Sequence, residues 1–223
     1  MNQLGMFAKY WLPGTVKTRL ARSIGDDKAS QLYHHFVITL LARFQELGDR
    51  RVLAYSPIER RAEFAAVTPE AWELIPQSPG DLGRRMNRFF DSHLVGHEDR
   101  VVLIGTDSPT MPAQYIDDAF AVLQTHPVVL GPSRDGGYYL VGAAGQVPPI
   151  FAEIDWSTPS VWQQTVDRLS SAGCRFAELP LWSDVDDLAD LTRIADELTQ
   201  LTQADPTWTS LYSHVQTALM DAS

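Results

Sequence analysis

Short apolar runs alternate with amphipathic segments along almost the whole chain, and this alternation restricts the fold more than any other feature. "LGMFA", "RVLAYS", "AWELIPQ", "RVVLIG", "PVVLGPS", "GYYLVGA" and "RFAELPLW" read as strands. Helical patterns lie between them. In "DDKASQLYHHFVITLLARFQELG" the apolar residues Ala29, Leu32, Phe36, Leu40, Phe44 and Leu47 recur every three or four positions, with Asp26 or Asp27 as the cap and Gly48 as the stop. "DLGRRMNRFFDSHLVG" puts Leu82, Met86, Phe89, Phe90 and Leu94 on one side. "AQYIDDAFAVLQTH", "SVWQQTVDRLSSAG", "DDLADLTRIADELTQL" and "TWTSLYSHVQTALM" complete the helices. Such alternation predicts an α/β fold, a Rossmann-like three-layer α/β/α sandwich around a mostly parallel, mixed sheet. Only Arg134–Gly137 separates "PVVLGPS" from "GYYLVGA", too short a link for a parallel crossover, so one antiparallel strand is expected. Residues 1–223 are expected to form one such domain, with C-terminal helices 187–220 packed on it.

Charge narrows the partners. The net charge of −10 argues against nucleic acid and anionic membranes, whose contact surfaces need Lys and Arg. The distribution is uneven: residues 1–60 hold nine Lys/Arg against five Asp/Glu, a net of +4, which leaves −14 for the rest. A basic end in an acidic protein suits a small anionic ligand, although random surface scatter gives the same count. The single cysteine, Cys174, excludes an internal disulfide and a cysteine-based zinc site and reads as a small buried hydrophobe. No signal peptide and no membrane-length apolar run is visible, which predicts a cytoplasmic protein. Oligomeric state is not legible.

In an open α/β sheet ligands bind beyond the carboxyl ends of the strands, so the loops there are the ones to search. After the first strand, "AKYWLPGTVKTRLA" turns at Pro13-Gly14 and gathers Lys9, Lys17, Thr18 and Arg19 at a helix start. That is either a phosphate site or a solvated basic turn; it does not match a P-loop. In "SPGDLGRRM", Gly80, Asp81, Leu82 and Gly83 open a helix, either as a bare backbone for a flat ligand or as a plain cap. In "VVLIGTDSPTMP", Asp107 stands where the most apolar strand runs out. It reads equally as an Asx-turn or as a ligand to a hard cation such as Mg2+. "GPSRDGGYYLVG" keeps Gly136-Gly137 bare beside Asp135, and "SDVDDLADL" crowds Asp184, Asp186 and Asp187. Of these, Asp187 suits a helix cap, and Asp186 suits a second metal ligand better than Asp184. The neighbours His34-His35 lack metal-ligand spacing, Gly96 breaks the helix between His93 and His97, and Ser108 has no G-x-S-x-G context.

Taken in order, "MFAKYWLPGTVKTRLA", "GDLGRRM", "IGTDSPTMP", "GPSRDGGYYLVG", "IDWSTPSVW" and "SDVDDLADL" resemble the bacterial DUF2064 transferases, also labelled transferase 1, rSAM/selenodomain-associated. The resemblance runs from residue 4 to about residue 192. That family is similar to glycosyltransferase-A folds and to small nucleotidyltransferases such as the molybdenum-cofactor and phospholactate guanylyltransferases. The resemblance implies a nucleotide-diphospho-sugar transferase fold. It puts Lys9, Gly14, Lys17, Thr18 and Arg19 on the nucleotide phosphates, and Gly80, Asp81, Leu82, Gly83 and Met86 against base or ribose. Asp107 and Asp186 would hold Mg2+ or Mn2+, while Gly136, Gly137 and "DWST" would face the second substrate. Two departures stand out. The family's Lys-x-Pro-x-Pro-Gly is here Lys9-Tyr10-Trp11-Leu12-Pro13-Gly14, and the Asp-x-Asp of many glycosyltransferases is here Thr106-Asp107-Ser108-Pro109.

Three functions follow as expectations. The first is a metal-dependent glycosyltransferase that uses a nucleotide-diphospho-sugar donor and a small-molecule acceptor. In it Asp107, Lys17 and Arg19 serve the diphosphate and Asp135 takes the acceptor proton. The second is a nucleotidyltransferase joining an NTP to a phosphorylated metabolite with release of pyrophosphate. The single acid at Asp107 is closer to that pattern. The third is a nucleotide-binding protein without turnover.

Overall fold

The computed structural model describes residues 1–220. Seven strands form one sheet: β1 (Asn2–Lys9), β2 (Arg50–Ser56), β3 (Glu73–Pro76), β4 (Arg100–Ile104), β5 (Val128–Pro132), β6 (Tyr138–Ala144) and β7 (Phe176–Glu178). Their spatial order is β3-β2-β1-β4-β6-β5-β7. β6 runs antiparallel to both β4 and β5, and every other pair is parallel. The helices are α1 (Thr18–Ile24), α2 (Asp26–Arg43), α3 (Arg61–Ala65), α4 (Leu82–His93), α5 (Gln114–Val122), α6 (Val161–Ser171), α7 (Leu188–Ala204) and α8 (Thr209–Met220).

Side-chain alternation along the strands sorts the core into two layers. Leu4 and Met6 of β1, Leu53 and Tyr55 of β2, and Val102 and Ile104 of β4 face α1, α2, α5, α7 and α8. Val52 and Ala54 of β2 and Val101 and Leu103 of β4 face α4 and α6 on the other side. Both faces of the central strands are therefore apolar and covered, as a parallel sheet requires. Gly5 sits under the Phe89 ring, where a Cβ would come within 2.3 Å of it, so α4 lies close against β1.

The strand order turns around between β1 and β4: the chain first builds β1, β2 and β3 to one side, then β4 to β7 on the other. The carboxyl ends of β1 and β4 flank that switch point, and Lys9 and Asp107 stand there. Among the described residues no helix is long and apolar enough to cross a membrane.

Several local expectations are corrected. The strand read as "RFAELPLW" shrinks to Phe176–Glu178, because Pro180 offers no N–H to the ladder, and Trp182 returns only as an isolated bridge to Ser133. α2 stops at Arg43, short of Gly48. Its N-cap is Gly25, so Asp26 and Asp27 lie inside the first turn, where their charge still suits the helix dipole. Leu82 is 42% exposed at the start of α4 and does not join the buried side. Cys174 is half-buried beside the α6 layer. The helical stretch Ile58–Ala65 carries no periodic signal in the sequence and was not expected.

α8 docks on α2 through stacked imidazoles, with the His35 and His214 rings 3.3 Å apart at their centroids. Burial, helped by the neighbouring His214 and His34, lowers the His35 pKa from 6.5 to about 4. The folded state therefore prefers neutral His35. Its contribution is fully present above pH 6.5 and is lost as pH falls through the window from 6.5 toward 4. Across that window the urea-unfolding midpoint of the native sequence should fall relative to that of His35→Phe as pH falls, and a difference between the two that does not change with pH would contradict this.

Candidate functional site

A cavity of about 720 Å3 opens over the switch point. That is within the roughly 300–1,000 Å3 range of small-molecule sites. Segments that follow five different strands build its wall, including Arg19 after β1, Gln77 after β3, Asp107 after β4, Asp135 and Gly137 between β5 and β6, and Asp184 and Asp186 after β7, with Lys9 at the end of β1 itself.

Lys17 is the centre of the electrostatics. Its backbone lies in the left-handed region, φ 48° and ψ 41°, where a non-glycine residue costs about 1–3 kcal/mol. The side chain is only 2% exposed, and its ammonium is ion-paired with Asp107 and lies 3.6 Å from Asp186. Burial disfavours the charge, but the carboxylates of Asp107 and Asp186 outweigh it and leave the pKa above the ordinary lysine value. Arg19, largely exposed, reaches Asp186 at 3.0 Å. The Lys9 ammonium donates to the Thr15 carbonyl at 2.8 Å and thereby closes the basic loop.

The neighbours of this cluster hold it in place. The Lys9 N–H donates to the Tyr33 hydroxyl at 3.1 Å, and that hydroxyl shares a 2.7 Å hydrogen bond with Thr106. α2 thus fastens the ends of β1 and β4 together. The Val185 N–H donates to the Asp107 carbonyl at 2.9 Å, which joins the last loop to the β4 loop. Asp184 accepts from Ser108 at 2.5 Å and from Ser133 at 3.0 Å. Burial, then the charge of Asp107, pushes its pKa up to about 6, against the pull of the Ser108 hydrogen bond. Asp187 caps α7 in a capping box with Asp190.

The structure brings together Lys9, Arg19, Leu82, Met86, Asp107, Asp135, Gly137 and Asp186 around one cavity, with Lys17 buried against its acids. It gives other work to six residues expected there. Gly14 (φ +75°) and Gly80 (φ +117°) serve turns that L-residues rarely adopt. Asp81 caps α4 by accepting from the Arg84 N–H at 2.8 Å. Thr18 is the first residue of α1. Gly83 lets α4 touch the 151–156 segment, since a Cβ would come within 2.2 Å of the Phe151 carbonyl. Gly136 packs on Pro159, where a Cβ would come within 2.3 Å of its carbonyl. Sequence reasoning missed Tyr33, Gln77 and Tyr138, which line the same cavity, and gave no separate role to Arg85, which lines it too. A Gly-rich, basic helix start pointed toward Arg85. Tyr33 gave no signal, because its helix faces the site only once the sheet is assembled.

Among the described residues no group of three or more His, Cys, Asp or Glu side chains is arranged to hold a metal. Asp107 and Asp186 present two hard oxygen donors, and Mg2+ is commonly held by one or two carboxylates plus substrate phosphates. The donor set therefore fits Mg2+ or Mn2+ arriving with a phosphate-bearing ligand, beside the Lys17 ammonium already there.

Comparison with known proteins agrees with this architecture. The family described as "Uncharacterized protein conserved in bacteria (DUF2064)" matches residues 39–158, a little over half of the chain. A 3-phospho-D-glycerate guanylyltransferase from Phenylobacterium zucineum (strain HLK1) is 31% identical over 141 residues, 59% of this chain and 62% of that protein. The chain thus matches less than two thirds of that relative's length. A crystal structure provisionally assigned as a nucleotide-diphospho-sugar transferase, from Desulfovibrio desulfuricans G20, is 31% identical. It superposes with a TM-score of 0.88 over 99% of this chain and 96% of that one. The inositol-1-phosphate CTP transferase of T. maritima, 16% identical with a TM-score of 0.53, covers 97% of this chain and 96% of its own; that likeness bears on fold alone. By the family match and the near full-length relative, the chain belongs to the bacterial DUF2064 family.

Proposed function

We propose that the protein is a transferase of the nucleotidyl type, which moves a nucleoside monophosphate from an NTP onto a phosphorylated small molecule and releases pyrophosphate. The observation that carries this reading is the trio Lys9, Lys17 and Arg19, three cations within eleven residues, set against Asp107 and Asp186 at the switch point. A triphosphate brings more negative charge than the diphosphate of a nucleotide sugar, and three fixed cations match it better. The named activity of the guanylyltransferase relative supports the same choice. The nucleotide-diphospho-sugar transferase assignment of the Desulfovibrio relative favours glycosyl transfer as the second reading.

The chemistry of in-line displacement at phosphorus is mostly positioning and charge stabilisation. Lys17 and Arg19 neutralise charge that builds on the leaving pyrophosphate, and Lys9 draws the phosphates to the mouth of β1. Asp107 and Asp186 are the residues that would hold Mg2+ or Mn2+ together with the phosphates, where the metal would supply Lewis-acid polarisation of a phosphoryl oxygen. The acceptor enters from the side of Asp135, Tyr138 and Trp156. A phosphate monoester has its second pKa near 6, so near neutral pH it attacks without a base. Asp135, whose carboxylate accepts from the Gly137 N–H at 3.0 Å, then shapes the acceptor turn and removes no proton.

Two measurements separate the readings. With Mg2+, an NTP panel and phosphorylated acceptors, pyrophosphate release is expected, and Asp107→Asn should lower kcat by roughly 10²–10³-fold. No release with any NTP, together with turnover of a UDP- or GDP-sugar, would replace this reading with glycosyl transfer. Asp135→Asn should cost less than about tenfold in kcat for a phosphorylated acceptor. A loss of roughly 10²–10⁴-fold is what removal of a general base produces, and it would point to a hydroxyl acceptor instead.

A further inference from the structure

The β1–β2–β3 side of the cavity contains one charged group that the transfer step does not use. This half is a β-α-β-α-β unit, the arrangement that binds mononucleotides in open α/β sheets. Its wall includes Phe7, Ala8, Ser56, Gln77, Arg85 and Met86. Gln77 follows β3 and spends its whole side chain on the protein. Its Nε2 donates to the Ala8 carbonyl at 3.1 Å and to the Ala54 carbonyl at 2.9 Å, which ties the ends of β1 and β2. Its Oε1 accepts from Arg85 Nη1 at 3.3 Å. Arg85 also donates from Nε to the Gly80 carbonyl at 2.8 Å.

The guanidinium is therefore pinned in its plane at two points. A guanidinium has five N–H donors, so three remain, and among the described residues neither a hydrogen bond nor an ion pair takes them. Its neighbour Arg84 turns instead toward Asp81, 3.8 Å away. A planar, donor-only fork held at a cavity wall suits a partner with two adjacent acceptors. Guanine offers that pair at O6 and N7, whereas adenine puts an amino donor where guanine has its oxygen.

We propose that Arg85 reads the 6-oxo edge of a purine, so that the site takes guanine nucleotides in preference to adenine nucleotides. This inference rests on the nucleotide-binding part of the reading above and adds the base. Gln77 is the positioning residue that aims the fork. A bidentate Arg–guanine contact discriminates by roughly 1–3 kcal/mol, which is about 5- to 150-fold in affinity.

The test is calorimetric binding with Mg2+ to the full chain, using GTP, ITP, ATP and the 2-aminopurine riboside triphosphate. ITP keeps O6 and lacks the 2-amino group; 2-aminopurine keeps the amino group and lacks O6. The native protein should bind GTP and ITP at least fivefold more tightly than the other two. Arg85→Gln and Arg85→Lys should each remove that preference while ATP affinity changes by less than about threefold, since lysine keeps the charge but not the fork. Unchanged melting temperatures without nucleotide identify the folded variants. A preference for GTP that survives in the folded variants would overturn the proposal. So would an equal loss for all four nucleotides and for pyrophosphate, because Arg85 would then hold phosphate. If the native protein bound none of the four, the nucleotidyl-transfer reading would fall with it. Tight binding with an unaltered base preference would overturn only the role of Arg85.

Discussion

A lysine ammonium with 2% of its side chain exposed would be strongly destabilising on its own. Lys17 is tolerated because Asp107 and Asp186 meet it, and the rest of the site depends on that contact. The three residues come from the loop after β1, the loop after β4 and the segment after β7. One cation thus joins parts of the chain that are distant in sequence. Removing either partner of a buried pair leaves an uncompensated charge, commonly a loss of several kcal/mol. The left-handed backbone at Lys17 belongs to the same arrangement, since strain of that size persists only where surrounding contacts hold it.

The acids around Lys17 are graded. Asp107 is half exposed and Asp186 less so, and both face the cations. Asp184 lies deeper, bonded to Ser108 and Ser133, and its raised pKa reduces the negative charge behind the site as pH falls toward 6. Under the proposed function, this carboxylate cluster with its own lysine would receive a phosphate-bearing ligand together with a divalent cation. On the other side of the cavity Asp135, Tyr138 and Trp156 offer a carboxylate, a phenol and an indole. On the proposed reading, this asymmetry gives the cavity a phosphate half and an acceptor half, as a two-substrate transfer requires.

Much of the architecture was legible because it rests on periodicity. Apolar residues on both faces of β4 announced a covered strand, and the four-residue link 134–137 announced the antiparallel β6. Lys17, Asp107 and Asp186 were legible as loop residues that follow strands, with Lys9 at the end of the first strand and Arg19 at the helix start behind it. What stayed hidden depended on tertiary approach. The packing of Gly83 on the Phe151 carbonyl and of Gly136 on Pro159 looked like bare backbone left for a ligand, because a sequence cannot say which surface a missing Cβ accommodates. Tyr33 and Gln77 act through bonds to carbonyls, amides and hydroxyls of other elements, and such partners leave no local pattern. The shortening of β7 followed from Pro180, a signal that was present and underweighted.

The central claim is that the Lys17–Asp107–Asp186 cluster serves cleavage at the α-phosphate of a triphosphate. The most direct measurement follows the phosphorus: incubate the protein with Mg2+, α-32P-labelled GTP and a phosphorylated acceptor, then locate the label. The account predicts label in the acceptor product, with unlabelled pyrophosphate released and no incorporation in Lys17→Met. The contradicting result is incorporation by Lys17→Met at the native rate, or a native protein that leaves all label in GTP yet transfers sugar from a nucleotide-diphospho-sugar.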